Sequence, residues 1–90
     1  MRIEIKKLGT VLSSRPAGKE ALLAVRASLL RGVDKTEELE LDFDGVDVLA
    51  PSWADEFVTP LSEEWGDKLR CVHTENPSVK VTLEFLKEIS

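Results

Sequence analysis

The sequence predicts a small two-layer α/β domain, a mostly parallel sheet with its helices on one face. Three observations carry that prediction. Apolar residues alternate with charged ones at Ile3 and Ile5 and again at Leu39, Leu41 and Phe43, the period of a strand with one face in the core. Between those runs Leu22, Val25, Leu29 and Val33 recur at helical spacing, and strand–helix–strand order sets parallel strands side by side through a right-handed crossover. Finally, Glu40 and Asp42 interrupt the central strand with charge. A sheet covered by helices on both faces has nearly continuous apolar strands, so one face here meets water.

Residues 2–6 read as the first strand, Leu8-Gly9-Thr10 as a turn, and Val11 and Leu12 as a brief second strand. Ser14-Arg15-Pro16 opens the first helix, because proline is tolerated in a first turn where its missing donor would be unpaired anyway. Leu23 and Leu30 widen the stripe of that helix, and Gly32 is its expected stop. The polar stretch from Asp34 to Glu38 leads to the central strand. After it, Asp44-Gly45 supplies turn chemistry, Val46, Val48 and Leu49 carry apolar side chains onward, and Pro51 closes the loop. Ser52 before Trp53, Ala54 and Asp55 makes a capping-box pattern, which predicts a helix capped by Ser52.

Ala54, Val58, Leu61 and Trp65 form the stripe of this second helix, with Trp53 and Phe57 beside it. Pro60 removes an amide and disfavours helical geometry at Thr59, so the helix either kinks there or restarts. The kink is the preferred reading. Gly66 ends the element, and Leu69, Cys71 and Val72 predict a strand ending near His73. Asn76-Pro77 is a cap followed by a first-turn proline, yet Val79, Val81, Leu83 and Phe85 alternate as a strand would. The cap, the Val79-Leu83-Leu86 spacing and the Leu86-Lys87-Glu88 tail favour a helix over 78–86.

Composition bounds the function. Residues 1–90, 42% of them apolar, suffice for one modest core and a single domain. No apolar run approaches the ~18–20 residues of a membrane span, and the N-terminal stretch lacks the apolar core of a secretory signal. A single cysteine excludes an internal disulfide framework and fits a reducing, cytoplasmic location. With 17 acidic and 12 basic residues the net charge is -5, the wrong sign for a phosphate backbone, so nucleic acid is not an expected partner. One histidine, His73, cannot build a transition-metal site alone, and no cofactor is expected. Cys71 on its strand reads as a small core residue with no catalytic partner.

The stretch LDFDGVDVLAPSWADEF, residues 41–57, resembles the signature of the STAS domain (sulfate transporter and anti-sigma factor antagonist). It is closer to the short bacterial offshoot known as the STAS-like domain. Leu41-Asp42-Phe43-Asp44-Gly45-Val46 supplies the strand and the Gly-Val loop, and Ala50-Pro51-Ser52-Trp53-Ala54-Asp55-Glu56 supplies the turn and helix start. The resemblance implies a small STAS-like fold and a bacterial protein-interaction domain that is not an enzyme. In anti-sigma factor antagonists a serine at this helix start accepts phosphate from a partner kinase, and the phosphate controls which protein is bound. Ser52 falls on that position and is the candidate phosphorylation site. Antagonists usually carry an acidic residue where Ala50 stands and glycine where Trp53 stands. The implied partner is a kinase-like ATPase or the signalling regulator it controls, and the expected binding surface is Asp47, Pro51, Ser52, Trp53, Asp55 and Glu56. The oligomeric state is open, a homodimer included.

Other readings stand beside this one. Ser52 as a plain cap fits a constitutive assembly subunit with no phospho-switch. LELDFDGV, residues 39–46, also resembles the first motif of haloacid-dehalogenase-type phosphatases, with Asp42 as nucleophile and Asp44 as general acid around magnesium. The remaining motifs of that fold do not follow. A calcium loop is excluded because Gly45 directly follows the second aspartate. Asp42 also has a structural reading, accepting hydrogen bonds from loop amides around Gly45. Arg15 either pairs with an acid near the Ser52 loop, contacts an anion, or stays solvated. Trp53 is either core or a partly exposed interface anchor.

Overall fold

The computed structural model describes residues 1–89. Its strands are β1 (Arg2–Glu4), β2 (Val11–Leu12), β3 (Leu39–Asp42), β4 (Val48–Leu49) and β5 (Leu69–Val72); its helices are α1 (Arg15–Ala27), α2 (Pro51–Trp65) and α3 (Pro77–Ile89). β1, β3 and β5 form a parallel sheet in that order, with Ile3 beside Leu41 and Leu41 beside Cys71. β2 and β4 form a separate parallel pair, Val11 beside Val48 and Leu12 beside Leu49. Because side chains alternate along a strand, Ile3, Leu41 and Cys71 form one row on the helix-covered face, while Arg2, Glu40 and Arg70 form a row on the other. Charge along β3 thus marked the open face, as the alternation predicts.

The core lies between that sheet and the helices. Ile3, Leu39, Leu41, Phe43, Phe57 and Leu61 are among its fully buried residues, and the Trp53 and Phe57 rings stack with centroids 4.8 Å apart. α1 packs on the start of α2 at Gly18, where an added Cβ would lie 2.5 Å from the Trp53 carbonyl oxygen. Only a residue without a side chain lets the two backbones approach so closely. Among the described residues no helix is long and apolar enough to cross a membrane.

Several boundaries differ from expectation. β1 stops at Glu4, and Ile5–Lys7 forms a 3-10 turn that still buries Ile5 completely. α1 ends at Ala27, short of Gly32. There the Ser28 hydroxyl donates to the Ala24 carbonyl at 2.7 Å, a local bond that competes with continued helix. The Leu30 N–H then reaches back to the Val25 carbonyl at 2.9 Å, which carries Leu30 into the core and leaves Leu29 exposed. α2 continues through Pro60 as one element and does not restart. The contested segment 78–86 is helix, within α3, and its core side is Val79, Thr82 and Leu86.

Candidate functional site

In a parallel α/β arrangement each helix starts near the carboxyl end of the strand before it. Here α1 follows β2, α2 follows β4 and α3 follows β5. At α1 the Ser14 hydroxyl accepts from the Ala17 N–H at 3.3 Å. At α3 the Asn76 side-chain oxygen accepts from Ser78 and Val79 N–H at 2.8 and 3.3 Å, the cap the sequence predicts.

α2 departs from prediction. Its cap position is Ala50, extended at φ -80 and ψ 144, with no side-chain cap; Pro51 is the first helical residue and Ser52 the second. The Ala50 N–H is taken by the Leu12 carbonyl at 2.8 Å, which pins the chain to β2 and lets Pro51, with its fixed φ, open the helix. The capping box does not form. Asp55, its expected second member, accepts instead from Arg15 at 2.9 Å and from the Thr59 hydroxyl at 3.1 Å. Those bonds, Arg15 first, hold the Asp55 carboxyl below its usual pKa. Arg15 also lies 3.8 Å from Glu56, so it is the acid-pairing residue that one sequence reading proposed.

Of the residues expected on the binding surface, Asp47 and Pro51 are exposed, and Ser52, Asp55 and Glu56 are half-buried. Trp53 is corrected: at 2% exposure it is core, held there by Phe57 and by the close approach of Gly18. The apolar surface lies elsewhere. Val11 and Val48 stand side by side in the β2–β4 pair at 62% and 41% exposure, and Val48 leads directly to exposed Pro51. The sequence showed Val11-Leu12 and Val48-Leu49 only as two short apolar runs. Their pairing, with the leucines inward and the valines outward, is a tertiary fact.

α3 fixes the approach to this surface from behind. The Ser78 hydroxyl accepts from the Leu49 N–H at 3.0 Å, and the buried Thr82 hydroxyl donates to the Leu49 carbonyl at 2.6 Å. Side-chain hydroxyls thereby complete the outer edge of β4, where no further strand pairs among the described residues. Ser78 and Thr82 lie one helical turn apart, the one signal in the sequence that could have found them.

A second polar cluster closes the carboxyl end of the main sheet. Buried Asp42 accepts from the Asp44 N–H at 3.0 Å, pairs with His73 Nδ1 at 2.7 Å and receives Arg2 at 2.6 Å. The Asp44 N–H bond, then His73 and Arg2, depress the Asp42 pKa well below the usual carboxylate range. Reciprocally, Asp42 raises that of His73. This is the structural role that the sequence assigned to Asp42, extended to two side chains it did not connect. Both carboxylate oxygens are engaged, one by the Asp44 N–H and His73 and the other by Arg2, so neither is left free for the attack that the phosphatase reading asks of Asp42. Asp44 is exposed at the tip of the Phe43–Val46 turn, where Gly45 takes φ 85. Burial pushes the Cys71 thiol up to about 11, which keeps it protonated and unreactive. Among the described residues no group of three or more His, Cys, Asp or Glu could hold a metal ion.

The parallel strands, the single helix layer and the pinned loop before α2 define a small two-layer α/β domain that offers one helix start beside an apolar surface pair. The chain belongs to the family described as the STAS-like domain of unknown function, whose model matches residues 24–79. That match covers the last turn of α1, then β3, the Gly-Val loop, β4, all of α2, β5 and the cap and first turn of α3. No curated protein and no solved structure matches the chain.

Proposed function

We propose that this protein is a non-enzymatic regulatory domain that binds another protein through the start of α2, and that phosphorylation of Ser52 switches the contact. The observation that carries the reading is the exposed Val11–Val48 pair, from which the Val48 strand leads through Leu49 and Ala50 into Pro51 and Ser52, the first residues of α2. Apolar side chains that are kept outward beside a rigid helix start provide contact area at little ordering cost. The partner is a kinase-like ATPase or a signalling component under its control, and the domain works in the cytoplasm. Asp47, Pro51 and Ser52 flank the valines, and Arg15, Asp55 and Glu56 form the charged border.

Phosphate on Ser52 adds about -1.5 to -2 charges. The helix dipole favours it by roughly 0.3–1 kcal/mol, while Asp55 and Glu56 in the neighbouring turn oppose it. Arg15, tied to both acids, is then drawn toward the new charge, so the electrostatics of the border change while the fold stays. Supporting this economy, Ser52 does not cap α2, so its hydroxyl can be modified without loss of a helix-terminating bond.

Intact-mass analysis of protein from the native host, with fragment mapping, tests the switch. One phosphate localised to Ser52 is the expected result. A chain that is unmodified in every growth condition rejects phospho-switching and leaves a constitutive assembly role.

A further inference from the structure

We propose a second interaction site, away from the start of α2: the outer edge of β5 accepts an extended segment of a partner protein as an added strand, with apolar side chains at alternate positions. The main sheet advances one strand per unit, from β1 to β3 to β5, and no strand of the described residues lies beyond β5. The Phe43 N–H donates to the Val72 carbonyl at 3.0 Å, so Val72 turns its main-chain polar groups toward β3. By the alternation of a parallel ladder, Leu69 and Cys71 turn theirs away from β3, toward the open edge.

The side chains of these same two residues line a groove. With Val58, Leu83 and Leu86 on the apolar side, and Thr59, Ser62, Glu63 and Lys87 on a polar rim, they bound about 580 Å³ between α2 and α3. The groove continues past Cys71 and Leu83 into a recess of about 390 Å³ at His73 and Thr74. A strand laid on β5 would satisfy the outward amides of Leu69 and Cys71 and drop every second side chain toward this apolar floor, which is the chemistry of strand addition. A compact apolar ligand would fill the groove but leave those amides unanswered. A second copy brings another net charge of -5, which opposes self-association. Within β5 itself no charged side chain faces the groove, while Glu63 and Lys87 border it from α2 and α3. Arg70, the one charged residue of β5, lies on the opposite face near Glu38, 3.7 Å away.

The test uses the 15N-labelled protein and a short blocked peptide of alternating threonine and valine, with the same peptide N-methylated at alternate residues as control. The unmethylated peptide is expected to shift the Leu69 and Cys71 amide signals and slow their hydrogen exchange by roughly tenfold or more. Cys71→Pro removes one outward donor at an edge position that tolerates proline, and is expected to abolish the effect. Val11→Glu, at the other surface, is expected to leave it intact, which separates this site from the proposed docking face of α2. No change in the wild-type protein up to the solubility limit of the peptide overturns the proposal. So does an equal response to the methylated peptide, and so does protection of Leu69 and Cys71 that appears with protein concentration alone, since that assigns the edge to a second copy.

Discussion

Ser52 and His73 each sit where a single side chain has a measurable signature. Because Ala50 holds the cap position of α2, Ser52→Ala removes no capping bond. Its expected effect on stability is within about 0.5 kcal/mol, against the ~0.5–2 kcal/mol a true cap would cost, and urea unfolding distinguishes the two. Asn76→Ala is the positive control, since Asn76 caps α3 with two accepted bonds. His73 gives a pH dependence. Asp42 raises the His73 pKa above its unfolded value, so folding favours the protonated ring. That contribution is full below about pH 6.5 and fades as pH rises through the higher folded value. The Asp42 pKa is depressed, so its contribution is full above about pH 4 and is lost as pH falls through its folded value. Arg2, Asp44 and Glu75 are the other charged groups that face this pair. The urea midpoint of the wild type is therefore expected to fall as pH rises through the folded His73 pKa, while His73→Gln flattens the fall. An unchanged profile in His73→Gln would remove the ion pair from the account.

At the scale of elements, the contact between α1 and α2 depends on one position. Gly18→Ala presses a methyl group against the Trp53 carbonyl, at a cost on the order of 1–3 kcal/mol, readable as a lower urea midpoint. Thr82→Val keeps the volume but strips the Leu49 carbonyl of its buried donor, with an expected loss of about 1–2 kcal/mol. These contacts mark the limit of what could be read in advance. Local chemistry was legible: Asn76 as a cap, Asp44-Gly45 as a turn, the alternation of β3, and the helix over 78–86. The end of α1 was not, because the periodic Leu29 and Val33 continue beyond the point where the Ser28 hydroxyl turns the chain. The start of α2 was misplaced by two residues, since a serine after a proline reads as a cap until β2 is seen to hold Ala50. Trp53 stayed open between core and surface anchor for the same kind of reason, and its place on the expected binding surface did not hold. Its burial depends on Gly18, which shows nothing unusual until the helices meet.

For the whole molecule, the proposed contact at the start of α2 uses surface side chains and leaves the core out of it. Val11 and Val48 are exposed, so charged replacements there are expected to leave the thermal midpoint nearly unchanged. The measurement that tests the central claim most directly compares what wild-type, Val11→Glu, Ser52→Asn and Ser52→Asp proteins retain from extracts of the native host, by quantitative mass spectrometry with each variant verified as folded. The account predicts one protein held by the wild type and Ser52→Asn, lost with Val11→Glu and changed in amount with Ser52→Asp. The same protein held equally by all four would contradict it.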